Sequence, residues 1–212
     1  MKESQKITIV VIALIVLIGG LIGGIVARAP KQDAADKEYE AYYAQRYDTV
    51  LLPVDDVKYV SSYEVPDESS YVDQMMMIHP EQIIHKWATN YITIRNGFGL
   101  HAVFTIADAS IRKQPSKRNN FVDYTGNFRV DLRLISDDGE EVVHTRLQAS
   151  KTVTAPENES VRQKELRWVG LTYDLIAEMN IQFAEKLRSN RSLPRYLAEY
   201  SNTDNETEEE EN

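Results

Sequence analysis

Four positive charges around Pro115 provide side chains that can bind an anion. Arg112, Lys113, Lys117 and Arg118 lie in a segment that the neighbouring sequence patterns predict to be a loop between two strands. A lysine or arginine close to an anionic membrane contributes about 1 kcal/mol to binding. We interpret the cluster as a candidate contact for phosphate head groups or an acidic partner, with an ordinary solvated loop as the alternative.

Groups that form catalytic and metal sites are sparse. Cysteine is absent, which excludes thiolate ligands, a thiol nucleophile and a disulfide framework. None of the histidines has the spacing that places two metal ligands on one helix face. They are His79, His85, His101 and His144. Because the sequence also lacks serine-nucleophile, phosphate-loop and dinucleotide motifs, we predict a protein that is not an enzyme and uses no metal or cofactor.

A methionine run precedes the first predicted helix of the domain. Met75, Met76 and Met77 are followed by Ile78. Thioether side chains are polarizable and adaptable, so the run could contact a soft metal or a lipid. Packing of a loop against the core is the alternative that the sequence favours, because nothing nearby completes a ligand set.

A single membrane-spanning helix is predicted over residues 7–27. The stretch from Ile7 to Val26 contains 20 residues without a charge, 14 of them Leu, Ile or Val. At 1.5 Å per residue it matches a hydrocarbon core of about 30 Å. Ala27-Arg28-Ala29 has the form of a signal-cleavage site, so a cleaved secretory signal is the alternative. The apolar run is longer than a signal usually has, which favours a retained anchor.

The predicted anchor carries a stripe of small residues. Gly19, Gly20, Gly23 and Gly24 form two overlapping GxxxG patterns, which allow a second membrane helix to approach closely. The stripe is a candidate surface for self-association or for a membrane partner. The alternative is that small residues are simply common in membrane helices.

The chain divides into five segments around this anchor. Residues 1–6 form a short tail, 28–47 a juxtamembrane stalk, 48–200 one domain and 201–212 a disordered acidic tail. The net charge of −9 argues against a nucleic-acid partner, because phosphate neutralisation needs a basic face. Positive charges flank the anchor on both sides, so the short tail is most simply left inside while the domain is exported. We therefore predict a single-pass membrane protein with an exported domain.

The domain has the pattern of an α+β fold. Apolar spacing predicts a helix that begins at Pro80 and ends near Gly97, then a strand over Leu100–Ile111 that is covered on both faces. A long helix should begin at Pro156. We predict a three- to four-stranded antiparallel sheet with two helices on one face, the fourth strand coming from the otherwise irregular residues 48–65.

Each predicted helix has one apolar stripe. That of the first helix comprises Ile83, Ile84, Trp87, Ala88, Tyr91 and Ile92. That of the last helix comprises Val161, Trp168, Thr172, Leu175, Ile176, Met179, Phe183 and Leu187. Both stripes are expected to face the sheet.

A hairpin around Asp138-Gly139 can be predicted to the residue. Apolar and polar side chains alternate on both sides of this two-residue turn signal. Closing the turn tightly places Leu134 opposite Val143, Val130 opposite Leu147 and Phe128 opposite Ala149. On the other face Asp131 meets Arg146 and Arg133 meets His144.

One segment carries a family resemblance. The sequence from His79 to Ile111, with a Pro-opened helix that contains Trp87 and a strand that ends in Phe104 to Ser110, resembles small alphaproteobacterial envelope lipoproteins of no known activity. Those proteins usually carry a lipidated cysteine, which this chain lacks. The resemblance implies an envelope protein of the inner membrane with a periplasmic domain, in which a membrane helix replaces the lipid. The order of elements is also similar to that of accessory lipoproteins of ABC-type lipid transporters.

Two functions follow as hypotheses. The first is a membrane-anchored, non-enzymatic periplasmic protein whose domain binds a partner protein or assembly, or a second copy of itself. The alternative is a lipid-handling accessory domain of an ABC-type transport system, with lipid as the partner.

Overall fold

The computed structural model describes residues 47–96 and 98–198. The predicted membrane helix, the glycine stripe, the stalk before Tyr47 and the acidic tail lie outside these residues. None of the helices within the described ranges combines the length and the apolar character needed to cross a bilayer. Tyr47 packs edge-on against Tyr91, with 5.1 Å between ring centroids, and its hydroxyl donates to the carbonyl of Tyr173 at 3.3 Å.

The described part of the chain folds as α+β. Its strands are β1 (Val50–Leu52), β2 (Asp56–Ser61), β3 (Ile92–Ile94), β4 (Leu100–Pro115), β5 (Phe121–Ser136) and β6 (Glu141–Pro156). Its long helices are α1 (Pro80–Tyr91) and α2 (Val161–Ser189). A 3-10 turn spans Asp73–Met75, and residues 192–198 are helical.

The main sheet is mixed, which corrects the prediction of an antiparallel one. Its strand order is β2-β4-β5-β6, and β2 runs parallel to β4 while the other two pairs are antiparallel. A separate two-stranded sheet joins β1 and β3, also in parallel. The parallel pairing arises because α1 lies between β2 and β4 in the chain, and a crossover helix returns the chain to the same end of the sheet.

The predicted pairing of the hairpin is confirmed from Leu134 outward, but the tight two-residue turn is wrong, because the register shifts between Leu134 and Ile135 and residues 137–140 form the connection. Leu134 pairs with Val143, Val130 with Leu147 and Phe128 with Ala149, and Gly139 takes the positive φ of 90° that the turn requires. Asp131 and Arg146 are partners on the opposite face, as are Arg133 and His144. Turn chemistry and alternation specify this register together, because a slip of one residue would expose every apolar side chain.

The broken alternation in β4 has a different cause from the two-sided burial that was predicted. The register shifts between Ile106 and Asp108, so that Ala107 is an extra residue in the strand. Leu100, Phe104 and Ile106 are buried before this bulge, and Ala109 and Ile111 after it. A bulge moves the buried face from even to odd positions, which a strictly alternating pattern does not allow for.

Both helices differ from prediction at one end. The first ends at Tyr91, because the β-branched run that starts at Ile92 pairs as β3 instead of continuing the helix. The second begins at Val161 after the N-cap Ser160, which forms a capping box with Gln163, while Pro156 closes β6. The stripe of α2 is buried from Trp168 to Phe183, but Val161 is 82% exposed.

The two helices cover the same face of the main sheet, as predicted. Trp87 of α1 contacts Phe104 of β4, with 6.1 Å between ring centroids. Gly126 of β5 lies directly beneath α2, where an added Cβ atom would come within 2.5 Å of a Leu175 methyl group. The opposite face is polar and carries cross-strand hydrogen bonds such as that between Thr125 and Thr152.

Candidate functional site

The four predicted cations lie near the same end of β4 but not in one loop. Arg112 and Lys113 belong to β4, and Lys117 and Arg118 lie in the turn that follows it. Adjacent residues of a strand point to opposite faces, so Arg112 and Lys113 diverge. The prediction of a single basic loop is therefore wrong for two of its four members.

Aromatic rings lie beneath two of these cations. The guanidinium of Arg112 is 5.9 Å from the ring centroid of Tyr71, and that of Arg118 is 4.3 Å from the ring of Phe121. Both distances are within the range of cation–π attraction. The two guanidinium groups are thus oriented by the rings.

The methionine run is divided between the core and the surface. Met76 is 4% exposed, whereas Met75 is 62% and Met77 is 86% exposed. The backbone N–H of Met77 donates to the Glu165 carboxylate of α2 at 2.9 Å, which fixes the run to the start of that helix. Packing against the core therefore explains Met76 alone.

A buried carboxylate that the sequence did not reveal holds the segment before this run. Asp73 has no exposed surface, and its carboxylate accepts hydrogen bonds from the Tyr63 hydroxyl and from the Ile111 N–H, the latter at 2.7 Å. Burial raises the pKa of Asp73, and the two hydrogen bonds only partly oppose that effect. Asp73 thereby takes the place of a strand partner beside β4, beyond the point where β2 ends.

The histidines are dispersed over the domain. His79 caps α1, His85 packs against Tyr59, and His144 lies on the polar face of the sheet near Asp131, as predicted. Within the described ranges no three acidic or histidine side chains are grouped so that they could hold a metal ion.

His101 joins three parts of the sheet through two carboxylates. Its Nδ1 lies 2.8 Å from Asp56 at the start of β2, and its Nε2 lies 2.7 Å from Asp137 after β5. Both ring nitrogens can donate only when the imidazole is protonated. The hydrogen bonds, first to Asp56 and then to Asp137, raise the pKa of His101.

A pH dependence of stability follows from His101. The pKa of His101 in the folded state lies above its unfolded-state pKa of about 6.5. Protonated His101 therefore stabilises the fold at pH values below about 6.5, and this contribution is lost as the pH rises through the folded-state pKa. Urea midpoints of the full chain should therefore fall by more between about pH 6 and about pH 9 than those of His101→Gln. Equal slopes for the two proteins would contradict this role.

The two edge strands of the main sheet differ in whether side chains cover their outward-facing backbone groups. At β6 the side-chain amide of Gln182 on α2 donates to the Gln148 carbonyl at 2.9 Å and accepts from the Gln148 N–H at 3.3 Å. Lys186 of the same helix donates to the Arg146 carbonyl. These side chains occupy the backbone groups that another strand would need.

The edge at β2 has no such cover among the described residues. In a parallel pair, every second N–H and C=O of an edge strand points away from its neighbour. Beside this edge is an open cavity of about 360 Å³ between the strand and α1. Its walls are Tyr59, Val60, Ser61, Glu81, Gln82, His85 and Ile106. The alternation of residues 57–63 suggests a strand, but only the tertiary structure makes it an edge beside a groove.

Comparisons with known proteins give distant structural similarity. No family model and no curated protein matches the chain. A minor lipoprotein of Acinetobacter baumannii is 12% identical with a TM-score of 0.39, covering 68% of this chain and 95% of its own. A protein of Caulobacter crescentus, provisionally described as a lipoprotein, is 12% identical with a TM-score of 0.37, covering 62% and 86%. A provisionally assigned homologue of a neuraminyllactose-binding hemagglutinin from Helicobacter pylori is 10% identical with a TM-score of 0.35, covering 74% and 92%. Such values assign neither a family nor an activity to this chain.

Proposed function

We propose that this chain is a non-enzymatic protein of the bacterial envelope, tethered in the inner membrane by residues 7–27, whose periplasmic domain binds a partner protein. The observation that carries the proposal is the uncovered edge of β2 beside the groove lined by Tyr59 and His85. The partner contributes an extended segment that pairs with β2 and enlarges the sheet.

The contrast between the two edges supports this assignment. Gln182 and Lys186 occupy the backbone of β6, so addition of a strand there would require breaking existing hydrogen bonds. At β2 the partner would add hydrogen bonds and break no contact described for that edge. Side chains of the added strand would enter the groove, where Tyr59 offers apolar surface and Glu81 offers a charge.

The test is purification of the full chain in a mild detergent, followed by hydrogen exchange. A stoichiometric partner should copurify, and the outward-pointing half of the β2 amides should exchange at least about ten-fold more slowly in the complex than in the free chain. The amides of β6 near Gln148 are the internal control and should not change. Recovery of a lone monomer, or protection that leaves β2 unchanged, would count against strand addition.

The alternative is a lipid-handling accessory domain of a transport system. Native mass spectrometry of the same preparation separates the two functions, because a lipid handler should carry lipid in place of a protein partner. Bound lipid together with an unprotected β2 edge would favour the alternative.

A further inference from the structure

Exposed apolar side chains gather at the start of α2. Met75 and Met77 project from the segment before α1, and Val161 is the first residue of α2. Met77 donates its N–H to Glu165, which lies one helical turn beyond Val161 on the same face of α2. Met77 is thereby held beside the first turns of α2, and the side chains of Met75, Met77 and Val161 are all exposed to solvent.

Three of the four cations, Lys113, Lys117 and Arg118, lie at the same end of the domain, whereas Arg112 pairs with Thr125 on the polar face of the sheet, away from the helices. The Lys113 N–H donates to the Ser70 carbonyl at 2.6 Å, so the segment that leads to the methionines runs beside the end of β4. The Glu157 N–H donates to the Asn120 carbonyl at 3.0 Å, so the start of α2 lies beside the turn that carries Lys117 and Arg118. We call this surface the methionine-basic end. It consists of Met75, Met77, Lys113, Lys117, Arg118 and Val161.

Acidic side chains at this end are partly engaged with other groups. Glu159 pairs with Arg167 and is 8% exposed in its side chain, and Glu165 is buried against the Met77 N–H. Glu157 lines a cavity of about 230 Å³ together with Lys113 and Phe121. The exposed charges of the turn at residues 116–120 are all positive.

The first turn of α2 carries two further cations. Arg162 and Lys164 lie there and no acidic residue does.

We propose that the methionine-basic end docks on the surface of an anionic lipid membrane. Met75, Met77 and Val161 enter the boundary between head groups and acyl chains, and the cations contact lipid phosphates. The pair of Arg118 and Phe121 suits this boundary, because it combines an apolar ring with a charge that stays in water. This surface shares no residue with the β2 groove, so it holds or fails independently of strand addition at β2, while it rests on the proposed membrane tether.

The absence of cysteine makes a direct test possible. Single substitutions Met77→Cys and Lys117→Cys, and Glu140→Cys in the turn between β5 and β6 as the control, each accept one environment-sensitive fluorophore on the full chain. The labelled chains are reconstituted into vesicles of phosphatidylcholine alone or with phosphatidylglycerol, each containing a spin-labelled quencher lipid. Quenching should appear at positions 77 and 117 only with the anionic lipid, and at position 140 in neither case.

Charge removal provides the second arm of the experiment. Lys117→Gln with Arg118→Gln, introduced into the Met77→Cys chain, should lower the ratio of docked to undocked domain by about 25-fold, or about five-fold per charge. Arg129→Gln with Arg188→Gln removes two charges from elsewhere and should leave quenching unchanged. Absence of quenching at position 77 with anionic lipid, equal quenching in neutral vesicles, or equal loss in the two double variants would overturn the proposal.

Discussion

Replacing Trp87 by alanine should lower the free energy of unfolding by about 3–5 kcal/mol, the largest loss we expect from one substitution in this domain. Trp87 is 3% exposed and lies where α1, α2 and the sheet meet. Its ring contacts Phe104 of β4 and Phe183 of α2, with centroids 6.1 and 6.4 Å away. Truncation would leave a cavity among three elements that cannot all move inward.

A hydrogen bond adds to this loss. The Trp87 indole N–H donates to the Asn180 side-chain oxygen at 3.0 Å, and Asn180 is 4% exposed. Without the indole, the Asn180 side chain stays buried away from water and has no hydrogen-bond donor for its oxygen, which destabilises the fold further. The effect should reach the β2 groove, because Trp87 also holds the helix that carries Glu81 and His85.

Urea unfolding of the detergent-solubilised chain, followed by the fluorescence of the remaining Trp168, measures the effect. Trp87→Phe is the matched control: it keeps most of the apolar volume and loses the hydrogen bond, so it should cost about 1–3 kcal/mol. A loss below about 1 kcal/mol for Trp87→Ala would show that the contact between the helices is not the centre of the core.

Replacing Asp73 by alanine should cost about 2–4 kcal/mol, because it leaves the Ile111 N–H and the Tyr63 hydroxyl without their acceptor in a buried place. The damage should be concentrated in the segment that Asp73 fastens to β4. Hydrogen exchange should therefore accelerate around Met75–Met77 before it does so in β5. Uniform acceleration throughout the domain would contradict this local role.

Asp73→Asn separates the charge of this residue from its hydrogen bonds. Burial raises the folded-state pKa of Asp73 above its unfolded-state pKa of about 3.9. The contribution of Asp73 to the free energy of unfolding is therefore most favourable at pH values below about 3.9, and it is lost as the pH rises through the folded-state pKa. The stability of the natural chain relative to Asp73→Asn should therefore decrease as pH rises across that window. An increase would mean that the two hydrogen bonds outweigh burial and favour the carboxylate.

The sequence by itself determined those features that local chemistry fixes. The hairpin around Gly139 could be predicted with its register from Leu134 outward, because the turn residues and the alternation on both sides give the same answer. The apolar stripes of α1 and α2 could also be predicted, since each of these helices buries one face against the sheet. The helix ends were less certain, because at Ile92 and at Pro156 a strand competes for the same residues.

The tertiary structure alone decided the features on which the proposals rest. The sequence of Asp56–Ser61 does not predict that this strand runs parallel to β4 or that its outer edge is uncovered. Both features depend on the path of the chain through α1. Asp73 has no signature in the sequence, since its partners lie 10 and 38 residues away. The chemistry of the cations and methionines could be predicted separately. They lie at one end of the domain because of long-range contacts such as that between Met77 and Glu165, which are 88 residues apart. The spacing of residues along the chain does not predict such contacts.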